Sequence, residues 1–370
     1  MFLETVSIQN LRSLDLLSFK PNNNINIILG KNNAGKTTIL ESIYIGSRLK
    51  TFKQTPTPSL IQHGHKHLKL LLNVVKSNEK HQICIEKSLK AHNTAKNNSK
   101  MIGAKELARL FPVLSLAFGQ ENIINLPSEN RRNLLDWGLF HVKPDYLGLL
   151  QTYQKCLQQR NYLLKKGSTE DIEYWTNKLA ESGEKISNER IAHFDKINKS
   201  FQTFVDIAAK NANRAHQDIR SVTISYKRGW DEKTALKDSI TNNLHKDRAI
   251  GFTEFGPHKA DILVQSESFE LKKIGSMSSQ VLASLLLTLA QAEVFHVEHN
   301  YRPILLIDDL FFGIDDTNLM LMIELLIQAK TQSFLTAPDI YKEKLVDISQ
   351  KTEKVQLFTL DEGGIKNINT

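Results

Sequence analysis

The sequence is short of cysteine and of long apolar runs. Its 370 residues include 2 cysteines, Cys84 and Cys156, which are too far apart to form a metal cluster and favour a reducing, cytoplasmic setting. The longest apolar stretch, residues 281–295, is interrupted by polar side chains, so we expect no membrane-spanning helix of about 20 residues. Glu4 stands early and no small-residue cleavage site follows, so we expect no signal peptide. These absences favour a cytoplasmic protein.

Positive charge is concentrated in one segment. The whole chain carries a net charge of +8, whereas residues 46–110 alone hold 13 lysines and arginines against 3 acidic residues. A local surplus of this size is typical of a surface that binds a polyanion, most often nucleic acid. The alternative is a solvated lysine-rich face.

A phosphate-binding loop follows an apolar run near the start of the chain. Residues 25–29 predict a buried strand and residues 38–44 open a helix, whose N-terminus favours an anion. Between them stands a complete G-x-x-x-x-G-K-[ST] pattern, in which glycines let backbone N–H groups surround phosphate oxygens. Lys36 is expected to reach the β- and γ-phosphates and Thr37 to bind Mg²⁺. The predicted ATP-binding residues of the loop are Gly30, Lys31, Asn32, Asn33, Ala34, Gly35, Lys36, Thr37 and Thr38.

An acidic partner for this loop follows a second apolar run. Residues 304–307 predict a buried strand that ends in Asp308 and Asp309. Asp308 is expected to support Mg²⁺, and Asp309 to orient or deprotonate an attacking water, which makes it a catalytic candidate together with Lys36. The alternative, that both are ordinary loop residues, is weakened by the phosphate loop. The long separation of the two motifs requires a whole lobe inserted between neighbouring strands, as in ATPases of the structural-maintenance-of-chromosomes type.

Two long helices are predicted inside that insertion. Apolar residues recur at spacings of three to five over residues 146–166 and again over residues 170–213. Gly167 and Ser168 supply the turn between them. We therefore expect a pair of antiparallel helices that forms a short arm.

Motifs distributed along the whole chain resemble those of the RecF family, ABC-type ATPases of bacterial recombinational repair. The resemblance rests on Leu11-Arg12, on Gly30 to Thr38, on residues 131–138 and 159–161, on residues 256–261 and 290–293, and on Leu306 to Asp309.

The resemblance implies an α/β fold, an ABC-type ATPase head with a mixed β lobe and a parallel sheet, plus a short antiparallel helical arm. The head, lobe I, would comprise residues 1–144 and 215–370, and the arm, lobe II, residues 145–214. It implies an ATP-dependent homodimer in which Ser276 of one subunit faces the nucleotide of the other. It also implies that Arg12 contributes to ATP binding and that Gln120 senses the metal.

Partners are implied by the same resemblance. The family binds DNA, favours duplex next to single-stranded gaps, and works with RecO and RecR to load a recombinase during replication restart, repair and the SOS response. The candidate DNA contacts are Arg48, Lys50, Lys53, Arg131 and Arg132. For the two arginines at 131 and 132, the alternative is a helix face exposed to solvent.

The signature segment departs from the family pattern. The family resembles Ser-Arg-Gly-Gln, where this chain has Ser276-Met277-Ser278-Ser279, and Ser278 puts a side chain where close backbone approach is needed. The usual Ser-Glu-Leu-Asp is replaced by residues 312–315, Phe-Gly-Ile-Asp. We therefore expect a weak DNA-stimulated ATPase, with an ATP-gated scaffold of little or no hydrolysis as the alternative. A third reading, a small-molecule phosphotransferase, is disfavoured by the helical arm, the remote Asp308 and the basic segment.

Overall fold

The computed structural model describes residues 1–52, 55–90, 93–117, 122–168, 171–211, 219–267, 269–309, 314–361 and 364–368. The chain divides into two compact units, one formed by Met1–Asn122 with Phe295–Thr370 and the other by Ile123–Val294. The predicted division into head and arm has different boundaries and stays a prediction. The predicted α/β class is confirmed, since both units combine helices with sheets.

The first unit contains a mainly parallel sheet. Its strands are β3 (Ile25–Gly30), β8 (Val113–Ala117), β12 (Ile304–Asp308), β13 (Ser333–Pro338), β14 (Val355–Asp361) and β15 (Gly364–Asn367), in the order β15-β14-β3-β13-β12-β8. All six residues of β3 are buried, as expected for a strand covered on both faces. The helices of this unit are α1 (Lys36–Arg48), α2 (Ala104–Leu110), α10 (Asp316–Ala329) and α11 (Lys342–Lys351).

Strand order brings the two predicted motifs to one edge of that sheet. β13 pairs in parallel with β3 on one side and with β12 on the other, so the two motif strands are separated by one strand and are not the neighbours that we expected. The carboxyl ends of parallel strands meet at the same edge, where α/β sheets bind ligands. Gly30, at the end of β3, therefore lies at the same edge as Asp308, at the end of β12.

An antiparallel sheet forms the rest of the first unit and carries the basic segment. Its strands are β1 (Phe2–Leu11), β2 (Leu14–Phe19), β4 (His67–Lys76), β5 (Glu79–Ser88), β6 (Thr94–Asn97) and β7 (Lys100–Met101), in the order β2-β1-β4-β5-β6-β7. In β4 every second residue is buried, so one face of the strand packs on the core. Lys69 lies on the other face, whereas Lys87 of β5 pairs with Leu68 on the core face and is itself buried. The predicted combination of a β lobe with a parallel sheet is confirmed.

The second unit contains the predicted helical pair. Its elements are α3 (Ser128–Val142), α4 (Tyr146–Lys166), α5 (Ile172–Asn211), β9 (Val222–Lys227), α6 (Leu236–Asn242), α7 (Leu244–Ile250), β10 (Asp261–Ser266), β11 (Phe269–Glu270) and α8 (Leu271–Ile274), followed by the start of α9 (Met277–His299). The three strands form a sheet in the order β11-β10-β9. Gly167 ends α4 in the left-handed conformation with φ of 67°, which is the usual role of glycine after a helix. The helical pair and its turn are confirmed.

Helix α9 is longer and more apolar than expected. Within the described part of the chain it has 23 residues and the length and hydropathy of a membrane span, but 83% of that apolar window is buried in the protein. The apolar stretch is thus longer than the sequence suggested, but length and composition alone are weak evidence for a membrane span, and this helix is mostly buried. Val281, Leu285 and Leu289 are fully buried, so the hydropathy of α9 is that of a core helix.

Candidate nucleotide site

The phosphate loop turns sharply from β3 into α1, and its two motif glycines are needed for different reasons. Gly35 has φ of 102°, a backbone region that favours glycine. A Cβ atom on Gly30 would lie 2.8 Å from the carbonyl oxygen of Leu360. Side chains at these positions would therefore strain the loop or displace β14.

Lys36 is held inside the loop. Its Nζ donates hydrogen bonds to the carbonyl oxygens of Gly30 at 2.7 Å and Lys31 at 2.8 Å. Burial lowers the pKa of Lys36, and the nearby carboxylates, Asp309 foremost, oppose that shift. The result is a fixed cation at the centre of the loop, suited to binding phosphate oxygens.

Asp308 meets the first turn of α1. Its Oδ1 accepts a hydrogen bond from Thr37 Oγ1 at 3.1 Å and another from Thr336 Oγ1 at 2.7 Å. Burial raises the pKa of Asp308, the hydrogen bond from Thr336 acts against this, and the charge of Asp309 adds to it. The hydroxyl and the carboxylate predicted to bind one metal are thus adjacent, although their motifs are far apart in the sequence.

Asp309 continues the chain after β12 in a left-handed conformation, with φ of 56°. Its backbone N–H donates to Thr336 Oγ1 at 2.9 Å. Thr336, which is fully buried in β13, therefore connects both acidic residues. No motif in the sequence marks Thr336, because its role depends on the pairing of β13 with β12.

The oxygen donors fit Mg²⁺. This ion takes few protein ligands and completes its coordination with water and phosphate oxygens, and Thr37 and Asp308 offer one hydroxyl and one carboxylate. Among the residues that the structure describes, no group of three or more histidine, cysteine, aspartate or glutamate side chains is arranged around a common centre. A metal bound here would depend on the phosphates of its nucleotide and would neutralise their charge.

Arg12 lies beside the loop, in the turn between β1 and β2. The neighbouring Ser13 places its Oγ 3.2 Å from the position that a Cβ of Gly35 would occupy. One Arg12 nitrogen, Nη2, lies 2.8 Å from a carboxylate oxygen of Glu41 on α1. The structure thus brings the predicted Arg12 to the loop and adds Glu41, which no sequence pattern indicated.

The other predicted loop residues lie at the mouth of the site or within α1. Lys31, Asn32 and Asn33 are exposed, and Thr38 is buried in the first turn of α1. The predictions that concern Gln120, Lys53 and residues 312–313 lie outside the described residues.

Ser276 precedes helix α9 in the second unit. Its Oγ accepts a hydrogen bond from the backbone N–H of Ser279 at 3.1 Å and lies 2.9 Å from Ser279 Oγ. This geometry is that of a helix cap. The assignment of Ser276 to the nucleotide of a second subunit stays a prediction.

Arg131, a predicted DNA contact, is paired within the protein. Its guanidinium is buried and forms two hydrogen bonds with Asp261, at 2.7 and 3.0 Å. Its Nη1 also donates to three carbonyl oxygens of residues 123–126. Because separating a buried ion pair is costly, this geometry gives Arg131 a structural role, and its predicted contact with DNA stays a prediction.

The remaining DNA candidates differ in how accessible they are. Arg132 is half-buried, and its Nη1 donates to Ser128 Oγ at 2.8 Å and to the Ala260 carbonyl at 2.7 Å. Burial lowers the pKa of both Arg132 and Arg48. Lys50 is exposed and is the most accessible of the three.

Residues 256–261, whose role the sequence left open, connect the helices of the second unit. The Pro257 carbonyl accepts a hydrogen bond from Arg190 Nη1 at 2.6 Å, and His258 Nδ1 lies 2.6 Å from the Tyr153 hydroxyl. Asp261 pairs with Arg131, as described above. These motif residues therefore stabilise the unit, and their sequence spacing gives no sign of these pairings.

The fold and site define a class of protein, a phosphate-loop ATPase head of the ABC type. The sequence matches the model of the RecF/RecN/SMC N terminal domain over residues 2–357, and the chain belongs to this family. It is similar to the DNA replication and repair protein RecF of Nitrosococcus oceani, with 29% identity over 340 residues, 91% of this chain and 92% of the relative. The RecF of Pseudoalteromonas translucida is 29% identical over 99% of both chains.

Solved structures support the same fold. The recombination mediator protein RecF, in a structure described as RecF-ATPrS in the RecFOR pathway, matches with a TM-score of 0.78 at 23% identity, covering 99% of this chain and 98% of that chain. The Smc head domain of Pyrococcus furiosus matches with a TM-score of 0.58 at 12% identity, covering 99% and 96%.

Proposed function

We propose that this chain is an ATP-dependent DNA-binding protein of recombinational repair and replication restart. The proposal rests on one observation, which is that Lys36, Thr37 and Asp308 lie together at one edge of the parallel sheet. Relatives over almost the whole chain are named DNA replication and repair protein RecF, and solved RecF structures named for ATP and ATPrS share its fold.

Each residue of the site has a distinct part in this proposal. Lys36 binds the β- and γ-phosphates of ATP as a fixed cation. Thr37 and Asp308 hold Mg²⁺, the latter through water, and the metal neutralises charge on the phosphates. Asp309 orients the attacking water and accepts its proton if hydrolysis occurs.

The other half of the nucleotide site comes from a second subunit in this proposal. ATP joins two copies when Ser276 at the N-terminus of α9 faces the γ-phosphate of the partner. Two observations favour the alternative to an active ATPase, which is an ATP-gated scaffold that hydrolyses little ATP. Ser276 Oγ is engaged by Ser279 of its own helix, and Ser278 replaces the small residue of the family pattern.

DNA binding is assigned to the basic segment of the first unit. The segment includes Lys50, which is exposed, and two accessible lysines of the antiparallel sheet, Lys69 and Lys80, whose side chains are 44% and 77% exposed. Such contacts bind phosphate without reading sequence and weaken steeply with added salt. Duplex next to a single-stranded gap is the proposed target, and RecO- and RecR-type mediators are the proposed partners in the cytoplasm.

The first experiment measures ATP binding, DNA binding and particle mass with and without ATP. Wild type should bind Mg-ATP, double in mass and bind gapped DNA more tightly with ATP. Lys36→Ala should lose all three ATP effects, whereas the control Lys351→Ala, at a side chain that is 73% exposed, should retain them. Unchanged mass and DNA affinity on adding saturating ATP would contradict the dimer proposal.

A second experiment separates the ATPase from the scaffold. Asp309→Asn should retain ATP binding and lose hydrolysis if the chain is an ATPase. The control Asp347→Asn changes an exposed carboxylate on α11 and should leave turnover unaltered. If wild type hydrolyses no more ATP than Asp309→Asn while ATP still promotes DNA binding, the scaffold reading is correct.

A further inference from the structure

Glu41 is a buried acid that is not part of the phosphate-loop pattern. It lies on the second turn of α1 and is 2% exposed. Its two carboxylate oxygens lie 3.0 and 2.8 Å from the same nitrogen, Nη2 of Arg12. A buried carboxylate is unfavourable unless it is paired, so this ion pair fixes both side chains.

The backbone of Arg12 is fixed as well. Arg12 has φ of 53°, a left-handed conformation that a residue other than glycine adopts only when its surroundings impose it. Its N–H donates to the Leu60 carbonyl at 2.8 Å, and the preceding Leu11 forms a bridge with Ile61. Arg12 is therefore held at its main chain by the segment 60–61 and at its guanidinium by α1.

The held arginine borders the phosphate loop. The two residues that follow it contact Gly35, since a Cβ there would lie 3.2 Å from Ser13 Oγ and 3.0 Å from Leu14 Cδ2. The side chain of Arg12 is 35% exposed, and among the described residues its Nε has no hydrogen-bond partner. Nη2 makes the contacts with Glu41 described above and Nε is buried, so a ligand at the loop would meet the donors on the exposed part of the guanidinium.

We infer that Glu41 is a positioning residue for nucleotide binding, and that it acts by holding Arg12 so that the guanidinium donates to a phosphate of the bound nucleotide. The inference rests on the ATP-binding function proposed above. Guanidinium groups bind phosphate through several donors in a fixed plane. Fixing that plane before binding removes the ordering cost that a free arginine side chain would incur on contact with ATP.

A double-mutant cycle tests this inference. ATP affinity is measured by titration calorimetry for wild type, Glu41→Gln, Arg12→Ala and the double variant. Each single variant should bind ATP roughly tenfold more weakly, the loss expected for one charge-assisted hydrogen bond of about 1.4 kcal/mol. The double variant should bind like Arg12→Ala alone, because Glu41 acts only through Arg12. The control Glu324→Gln, at an exposed glutamate of α10, should bind like wild type.

Two results would overturn the inference. One is wild-type ATP affinity in Glu41→Gln, and the other is a double variant whose loss equals the sum of the single losses. If Glu41→Gln fails to fold, Arg12→Lys tests the inference instead. Lysine keeps the positive charge beside Glu41 but lacks the planar set of donors of arginine. This variant should fold and bind ATP roughly tenfold more weakly, and wild-type affinity would refute the inference.

Failure of the proposed function gives a different pattern. In that case wild type binds no ATP, Lys36→Ala changes nothing, and the inference about Glu41 fails with it. If wild type binds ATP and Lys36→Ala does not, the proposed function stands. Wild-type ATP affinity in Glu41→Gln would then refute only the positioning role of Glu41.

Discussion

Thr336→Val is the substitution that most directly tests the arrangement of the acidic residues. The Thr336 hydroxyl donates to Asp308 Oδ1 at 2.7 Å and accepts from the Asp309 N–H at 2.9 Å, and the residue is fully buried. Valine has nearly the same shape as threonine but can neither donate nor accept a hydrogen bond with its side chain. The variant therefore leaves a carboxylate and a backbone N–H without this partner while the packing of β13 is kept.

The expected loss of stability follows from those two bonds. A hydrogen bond to a charged group contributes about 1.5–3 kcal/mol, and a neutral one, such as the part-buried bond from the Asp309 N–H, about 0.5–1.5 kcal/mol. Asp308 retains its hydrogen bond from Thr37, so we expect a decrease of roughly 2–4 kcal/mol in the free energy of unfolding. Thr336→Ser keeps the hydroxyl and removes one methyl group, for which about 0.5–1.5 kcal/mol is expected.

The same change should alter the pH dependence of Mg-ATP binding. Burial raises the pKa of Asp308 and the Thr336 hydrogen bond lowers it, so its removal raises that pKa further. In the proposed role of Asp308 only the ionised carboxylate supports the metal, and Thr336→Val should therefore lose Mg-ATP binding at a higher pH than wild type as the solution is acidified.

The assays are urea unfolding without nucleotide and ATP titration across pH 5 to 8 at fixed Mg²⁺, with Thr336→Ser as the control. If the valine variant is as stable as wild type, or less affected than the serine variant, Thr336 does not hold the two acidic residues as described.

Three further predictions test the second unit. Asp247→Ala leaves the fully buried Arg160 without its partner at 2.7 Å, and urea unfolding should show a loss of about 3–5 kcal/mol; a loss below about 1 kcal/mol, as at surface pairs, would contradict this. Gly138→Ala places a Cβ 2.2 Å from Nε2 of the buried His193 and should lower the free energy of unfolding by about 1–3 kcal/mol. Gly148→Ala, also helical but with no atom within 4 Å of its Cβ, should be neutral or stabilising; equal effects would refute the packing argument. Burial lowers the pKa of His258 from 6.5 to about 4, so stability present above pH 6.5 is lost as the pH falls toward 4, and His258→Gln should flatten that decrease in acid unfolding curves.

The nucleotide loop was predictable because its signal is local. An apolar strand, a glycine pattern and a helix follow one another without a gap, and the conformation of Gly35 is what the pattern requires. The helices α4 and α5 were predictable for a similar reason, since apolar spacing and the turn at Gly167 lie within one stretch.

The roles of the arginines were not predictable from their neighbours in the sequence. Arg131 was expected on a DNA-binding surface, yet it pairs with Asp261, which is 130 residues away. Arg160 likewise pairs with Asp247, 87 residues away. An arginine looks the same in the sequence whether its side chain is exposed or paired in the interior. Which of the two occurs is decided by the fold.

The sequence by itself determined the family, the strand and helix around Gly30 to Thr38, and the strand that ends in Asp308, because each is specified by residues adjacent in the chain. The tertiary structure alone decided that Thr336 joins Asp308 to Asp309 and that Glu41 holds Arg12 beside the loop. These contacts depend on strand order and on how α1 packs against the turn after β1. Such geometry is set by the folding of distant segments, and no local pattern encodes it.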